Sequence, residues 1–164
     1  MNANKDQNMT PTSASSSGAA TTTAALGSES PNLGGALVGG LVAALVGALI
    51  WAVITVTIKF QIGFMAVGVG FLVAWAVRTL GKGRDTTFGI IGGVFALLGC
   101  LLGNLLSACG FIATQASEPV VSVTLRVLGN PASIATILQE TFQGMDLLFY
   151  AIAVYEGYKL SRRP

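Results

Sequence analysis

The sequence predicts an all-α fold: an integral membrane four-helix bundle behind a disordered N-terminal tail. Three observations predict it. Two apolar runs, residues 62–80 and 88–113, are joined by the short basic turn Gly81-Lys82-Gly83-Arg84-Asp85, the pattern of a helical hairpin that crosses a bilayer twice. Only 10% of the residues are charged while 52% are hydrophobic, and the mean hydropathy is +0.71. A water-facing domain usually carries about 25% charged residues. Finally, small residues recur four apart along the apolar runs, which suits helices that pack closely in lipid. At 164 residues the chain has room for one small bundle.

Residues 1–33 are rich in Ser, Thr, Ala, Asn and Gly, as in Thr12-Ser13-Ala14-Ser15-Ser16-Ser17. Such a tract buries too little apolar surface to offset its ordering entropy, so it is expected to be a disordered, solvated tail. It does not read as a secretory signal, because the first apolar run follows some thirty polar residues with no basic stretch just before it.

The membrane domain is expected over residues 34–163. Its first span, residues 34–58, holds no charge, and as helix it reaches about 37 Å, enough for a hydrocarbon core of about 30 Å. Lys59 closes it and Gly63 helps the chain turn. The second span, residues 62–80, ends on Trp75 and Arg78, which suit an interfacial anchor. The third, residues 87–112, is again uncharged.

Residues 113–140 differ. Glu118-Pro119 ends the third helix, and Val121, Val123, Leu125 and Val127 alternate with Ser122, Thr124 and Arg126. The alternation reads as a short strand, although one strand alone leaves both edges unpaired. After Gly129-Asn130-Pro131, the positions Ile134, Ile137, Leu138 and Phe142 recur at helical spacing, predicting a short amphipathic helix at the membrane surface. A fourth span over residues 141–162 is long enough, and Tyr155, Tyr158, Lys159, Arg162 and Arg163 suit a cytoplasmic end.

Four spans place Lys5, Arg78, Lys82, Arg84, Lys159, Arg162 and Arg163 on one side, against Lys59 and Arg126 on the other. The positive-inside rule then puts both termini in the cytoplasm. The first and third spans also share a faint repeat, with Gly39-Gly40 aligning on Gly92-Gly93 and Ala43 on Ala96.

Packing is the strongest chemical signal. The small-residue stripes are Gly35 and Gly39 in the first helix, Ala66, Gly70 and Ala74 in the second, and Gly89 with Gly93 and Gly99 with Gly103 in the third. Packing within one chain explains them more simply than homodimerisation. Four polar groups in or beside the spans are candidates for function, since burying them is costly. Asn104 is expected to form an interhelical hydrogen bond, worth about 0.6 kcal/mol on average. Glu156 is expected to pair with Lys159 one turn on, or with Arg78 at the same face, or else to act as a coupling carboxylate. Asp146, at the start of the fourth helix, suits the helix dipole.

The chain has no histidine, and Cys100 and Cys109 lie on opposite faces of one helix. No nucleophile motif or phosphate loop is present, so no catalysis, cofactor or metal is expected. The formal charge of +2, without basic stretches, gives no reason to expect nucleic acid.

The segments Ile62-Gly63-Phe64, Gly68-Val69-Gly70-Phe71, Phe88-Gly89-Ile90-Ile91-Gly92 and Asp146-Leu147-Leu148-Phe149-Tyr150, with Tyr155-Glu156-Gly157-Tyr158-Lys159, resemble a group of small uncharacterised bacterial multi-pass membrane proteins. The resemblance implies this architecture and a bacterial inner membrane, and no activity. The function expected from the sequence is therefore non-enzymatic: a scaffold or accessory subunit partnered by the lipid bilayer and by itself or another membrane protein. A small oligomeric transporter or channel, with Glu156 as its coupling carboxylate, is the alternative.

Overall fold

Asn32 starts the first helix and ties it to the second. In the computed structural model, which describes residues 30–60 and 63–162, its side chain accepts from the Gly35 N–H at 2.8 Å. Its own N–H donates to the Gly81 carbonyl at 2.7 Å. One residue thus satisfies an orphan donor of α1 (Leu33–Ile58) and the last turn of α2 (Met65–Gly81). The tail expected over residues 1–33 lies, up to residue 29, outside the described residues, as do Ile62 and Arg163.

Helices follow in the order α3 (Thr86–Ala116), α4 (Val120–Leu128), α5 (Pro131–Thr141) and α6 (Gly144–Ser161), and no strand occurs among the described residues. Lys59, Lys82 and Ser117 stop α1, α2 and α3 in the left-handed conformation, with φ of 56°, 52° and 55°. After Lys82 the chain needs a glycine: the buried Phe88 ring fills the place where a Cβ on Gly83 would stand.

α1, α2, α3 and α6 pack side by side. Contacts of Gly35 and Gly39 with Leu80, and of Gly47 with Val69, set α1 antiparallel to α2. Gly40 against Phe95 and Gly110 against Val56 set α1 parallel to α3, and Gly92 against Ser161 sets α3 antiparallel to α6. Gly39 and Gly92 play the same part, each receiving the last turn of a returning helix. The shared core runs from Ala36 and Phe88 at one end to Trp51 and Tyr150 further along.

Inside, the residues are small; outside, they are large and apolar. α1 turns Ala36, Ala44, Ala48 and Trp51 inward, while Val38 and Val53 are 64% and 65% exposed with a continuous file of Leu, Val and Ile between them. Such a surface would aggregate in water and is at home in hydrocarbon. At 26 and 31 residues, α1 and α3 are long and apolar enough to cross a membrane. α2 is apolar but shorter at 17 residues, and α6, at 18, carries Asp146, Glu156 and Lys159.

Two expectations need correction. The segment read as a strand is the helix α4. Its β-branched residues satisfy both periods, and Val123 and Val127, four apart, bury against Leu105, Cys109 and Ala113 of α3, whereas no second strand is there to pair with among the described residues. Exposed Glu118 and Arg126 close that corner at 3.1 Å. α3 runs to Ala116 and stops before Glu118-Pro119, where its end was expected. The last helix begins at Gly144, since Thr141 belongs to α5 and the backbone extends through Phe142 and Gln143. A capping box decides that start: the Gln143 N–H donates to the Asp146 carboxylate at 2.9 Å, and the Gln143 side chain accepts from the N–H of Asp146.

α4 and α5 bend by 109° at Gly129-Asn130, where the Asn130 side chain caps α5 through the Ala132 N–H at 3.1 Å. Ile134, Ile137 and Leu138 of α5 complete the cluster on α3. The pair therefore folds back along α3 as far as Leu105, eleven residues or about 16 Å before its end.

Candidate functional site

The small residues singled out in the sequence fall at helix crossings. A Cβ on Gly35 would meet the Leu80 carbonyl, and one on Gly39 the Leu80 side chain. On α2, Ala66 and Ala74 are fully buried, and a Cβ on Gly70 would stand 2.7 Å from the Ala153 carbonyl oxygen of α6. On α3, Gly89 lies beneath Tyr158 and Arg162, Gly99 against Val69 and Ala44, and Gly103 under the Trp51 ring at 2.8 Å. Gly93 is the loosest of them, with its nearest neighbour, the Val154 carbonyl, at 3.4 Å. Gly157, not singled out beforehand, is a tight partner of α3: its Cβ would come within 2.6 Å of the Gly92 carbonyl. Its signal was present as Glu156-Gly157-Tyr158, a glycine amid large residues.

These crossings leave a small polar set in the bundle interior. Asn104 is 1% exposed and interacts with Tyr150 across α3 and α6. The Tyr150 hydroxyl also reaches the Cys100 carbonyl at 3.5 Å, and the Cys100 thiol points to the Ala66 carbonyl at 3.8 Å. One turn further along α3, Ser107 donates to the Gly103 carbonyl at 2.7 Å. Facing them from α1, Trp51 and Thr55 are buried, and among the described residues neither the Trp51 Nε1 nor the Thr55 hydroxyl has a hydrogen-bond partner. Thr57, Thr79 and Thr114 all bond to the carbonyl four residues back, so Thr55 is the exception among them. Sequence reasoning missed Trp51, Thr55 and Tyr150. The available signal was the four-residue step from Trp51 to Thr55, on the face that carries Ala44 and Ala48.

Among the described residues, Glu156 makes neither of its expected ion pairs. Lys159 instead carries its ammonium to the Tyr155 ring, 5.3 Å from the centroid, and Arg78 is exposed at the end of α2. Among the described residues, one buried Glu156 oxygen has no hydrogen-bond partner. Arg162 lies 5.4 Å from the centroid of the Tyr158 ring and donates to its hydroxyl at 3.0 Å. Two tyrosines at the end of α6 therefore hold two cations.

Cys100 sits in the main core and Cys109 in the cluster under α4 and α5, and both are free. Among the described residues no three His, Cys, Asp or Glu side chains converge. The interior thus offers hydroxyl, amide, indole and thiol groups, with the Asp146 carboxylate at the start of α6, and these can order helices or bind a polar group.

Fold and site together define a class: an all-helical protein with two helices of membrane-spanning length and apolarity. No protein family, curated protein or solved structure matches the chain at a significant level.

Proposed function

We propose that the chain is a small non-enzymatic multi-pass protein of a bacterial inner membrane, with α1, α2, α3 and α6 as spans and both termini cytoplasmic. In this reading it serves as a scaffold or accessory subunit, partnered by itself or by another membrane protein. One observation carries it. Antiparallel packing gathers Arg78, Lys82, Arg84, Lys159 and Arg162 at one end of the bundle, beside Asp85 and Glu156. The other end has Lys59 and Arg126 beside Glu118, Glu140 and Asp146, and the sides between are apolar. A bilayer with a cytoplasmic face at the basic end accounts for both features.

The accessory role draws support from the division of the surface. Close backbone contacts of Gly70 and Gly157 fill the interior, while apolar grooves open outward between α1 and α2 (about 320 Å³) and between α1, α3 and α4 (about 290 Å³). Such grooves suit the side chains of a partner helix. A photo-cross-linking residue at Val42, on the first groove, is expected to give one adduct of defined mass in intact membranes. Lipid adducts alone would remove the accessory role. In the same membranes Lys59→Cys should react with an impermeant maleimide from outside and Arg84→Cys should not.

Glu156 favours a second reading, a small oligomeric transporter. Its partnerless buried oxygen is what a coupling carboxylate would present to a proton or cation. Proteoliposomes should then show a pH-dependent flux that Glu156→Gln abolishes; the absence of flux at every pH rejects it.

A further inference from the structure

The third outward groove differs from the other two at its end. It runs between α3 and α6, walled by Ile90, Val94 and Leu97 on one side and by Ala151, Tyr155 and Tyr158 on the other, with a volume of about 570 Å³. From Ile90 to Leu97 it extends for about 10 Å along the helices. Gly93 leaves the floor open, because a side chain there would stand between the walls. No acidic side chain lines the groove.

The two tyrosines of its wall are the two that carry cations, Lys159 on Tyr155 and Arg162 on Tyr158. The Arg162 stem also lies across α3, with its Cδ 2.9 Å from the Cβ position of Gly89, one residue before the groove begins. Arg162 is thus held at the mouth by its stem, by ring contact and by its bond to the Tyr158 hydroxyl. The nearest acid on α6, Glu156, falls about 140° around the helix from Ala151 and so faces away. Among the described residues, neither of the other grooves has a cation seated on its lining side chains.

We propose that this groove binds one anionic phospholipid of the adjoining leaflet, with an acyl chain between α3 and α6 and the phosphate between Lys159 and Arg162. The inference rests on the membrane reading above, which sets this end of the bundle at the cytoplasmic face. Anionic lipids face that side, and cations between spanning helices there recognise their headgroups. The tyrosines belong at the same depth, with rings in the apolar region and hydroxyls among the headgroups. An uncharged partner helix would use the apolar walls but offer no negative group to the two cations at the mouth, where Asp85, just ahead of α3, is the acid of the facing wall.

The full-length protein, purified in mild detergent, is mixed with equal amounts of phosphatidylglycerol and phosphatidylcholine of identical chains, and retained lipid is counted by native mass spectrometry. The wild type should hold one phosphatidylglycerol with roughly twenty-five-fold preference, since each of the two surface cations is worth about fivefold. Lys159→Ala with Arg162→Ala should reduce the preference to about twofold or less. Ala151→Trp, at an exposed position in the wall, should lower retention of both lipids while circular dichroism stays that of the wild type. Equal retention of the two lipids by the wild type, a preference that survives loss of both cations, or full binding by Ala151→Trp would each overturn the proposal. A wild type that is recovered with the membrane fraction before purification but shows no preference refutes this inference alone. One that is recovered in the supernatant without detergent refutes the membrane reading too.

Discussion

Gly70→Leu is expected to part α6 from α2 and to lower the stability of the bundle in detergent by about 3 kcal/mol, the upper end of ordinary overpacking. The cause is the kind of atom in the way. A Cβ at position 70 meets the oxygen, Cα and carbonyl carbon of Ala153 at 2.7, 2.8 and 3.1 Å, all of them backbone. A side chain can swing aside; a helix backbone can yield only by moving the helix. Gly68, two residues earlier on α2, has nothing within 4 Å of its Cβ position, so Gly68→Leu should leave stability unchanged or slightly raised. The reactivity of Cys100 gives a second readout, because its thiol is buried against Ala66 of α2 and its carbonyl lies under Tyr150 of α6. Gly70→Leu should expose it to maleimide and Gly68→Leu should not. Equal unfolding midpoints for the two variants in a dodecyl sulfate titration would show that close approach of α2 and α6 does not hold the bundle.

That contrast also marks what could be read from the sequence. Gly68 and Gly70 look alike as glycines in one apolar run, and four-residue spacing to Ala66 and Ala74 singled out Gly70 because a stripe defines a face. The all-helical character was legible for a related reason: long uncharged runs admit few other structures. Legibility ended where one pattern serves two structures. Val121, Val123, Leu125 and Val127 alternate as a strand does, yet Val123 and Val127 are also a helical step apart, and only the waiting surface of Leu105, Cys109 and Ala113 decides between them. It ended again at Glu156, where Lys159 had two acceptable neighbours within a turn and the Tyr155 ring won. A desolvated ion pair gains little over a cation held on a ring with its head still in water. Spacing shows which partners are within reach, but solvation selects among them.

The two tryptophans carry this lesson to its largest expected effect. Trp51 is fully buried between α1 and α3, while Trp75 is 59% exposed on the outside of α2. Trp51→Ala should cost about 4 kcal/mol in the same titration, because the indole leaves its apolar surroundings and a cavity stays behind. Trp75→Ala should stay within about 0.5 kcal/mol, as substitutions at exposed positions do. Trp51→Phe should cost less than half as much as Trp51→Ala, because the indole N–H it removes has no hydrogen-bond partner to lose. The ring lies flat on Gly103, with Cε3, Cδ2 and Cγ at 2.8, 3.0 and 3.2 Å from the Cβ position. Gly103→Leu alone should therefore be destabilising too, by driving the ring out of its seat. Combined with Trp51→Ala, the same leucine enters the space the ring has vacated. The double variant should then be more stable than the sum of the single losses by at least about 1 kcal/mol, the coupling expected of residues in direct contact. Strict additivity would mean that Trp51 and Gly103 do not share one seat, and that α1 and α3 are held together elsewhere.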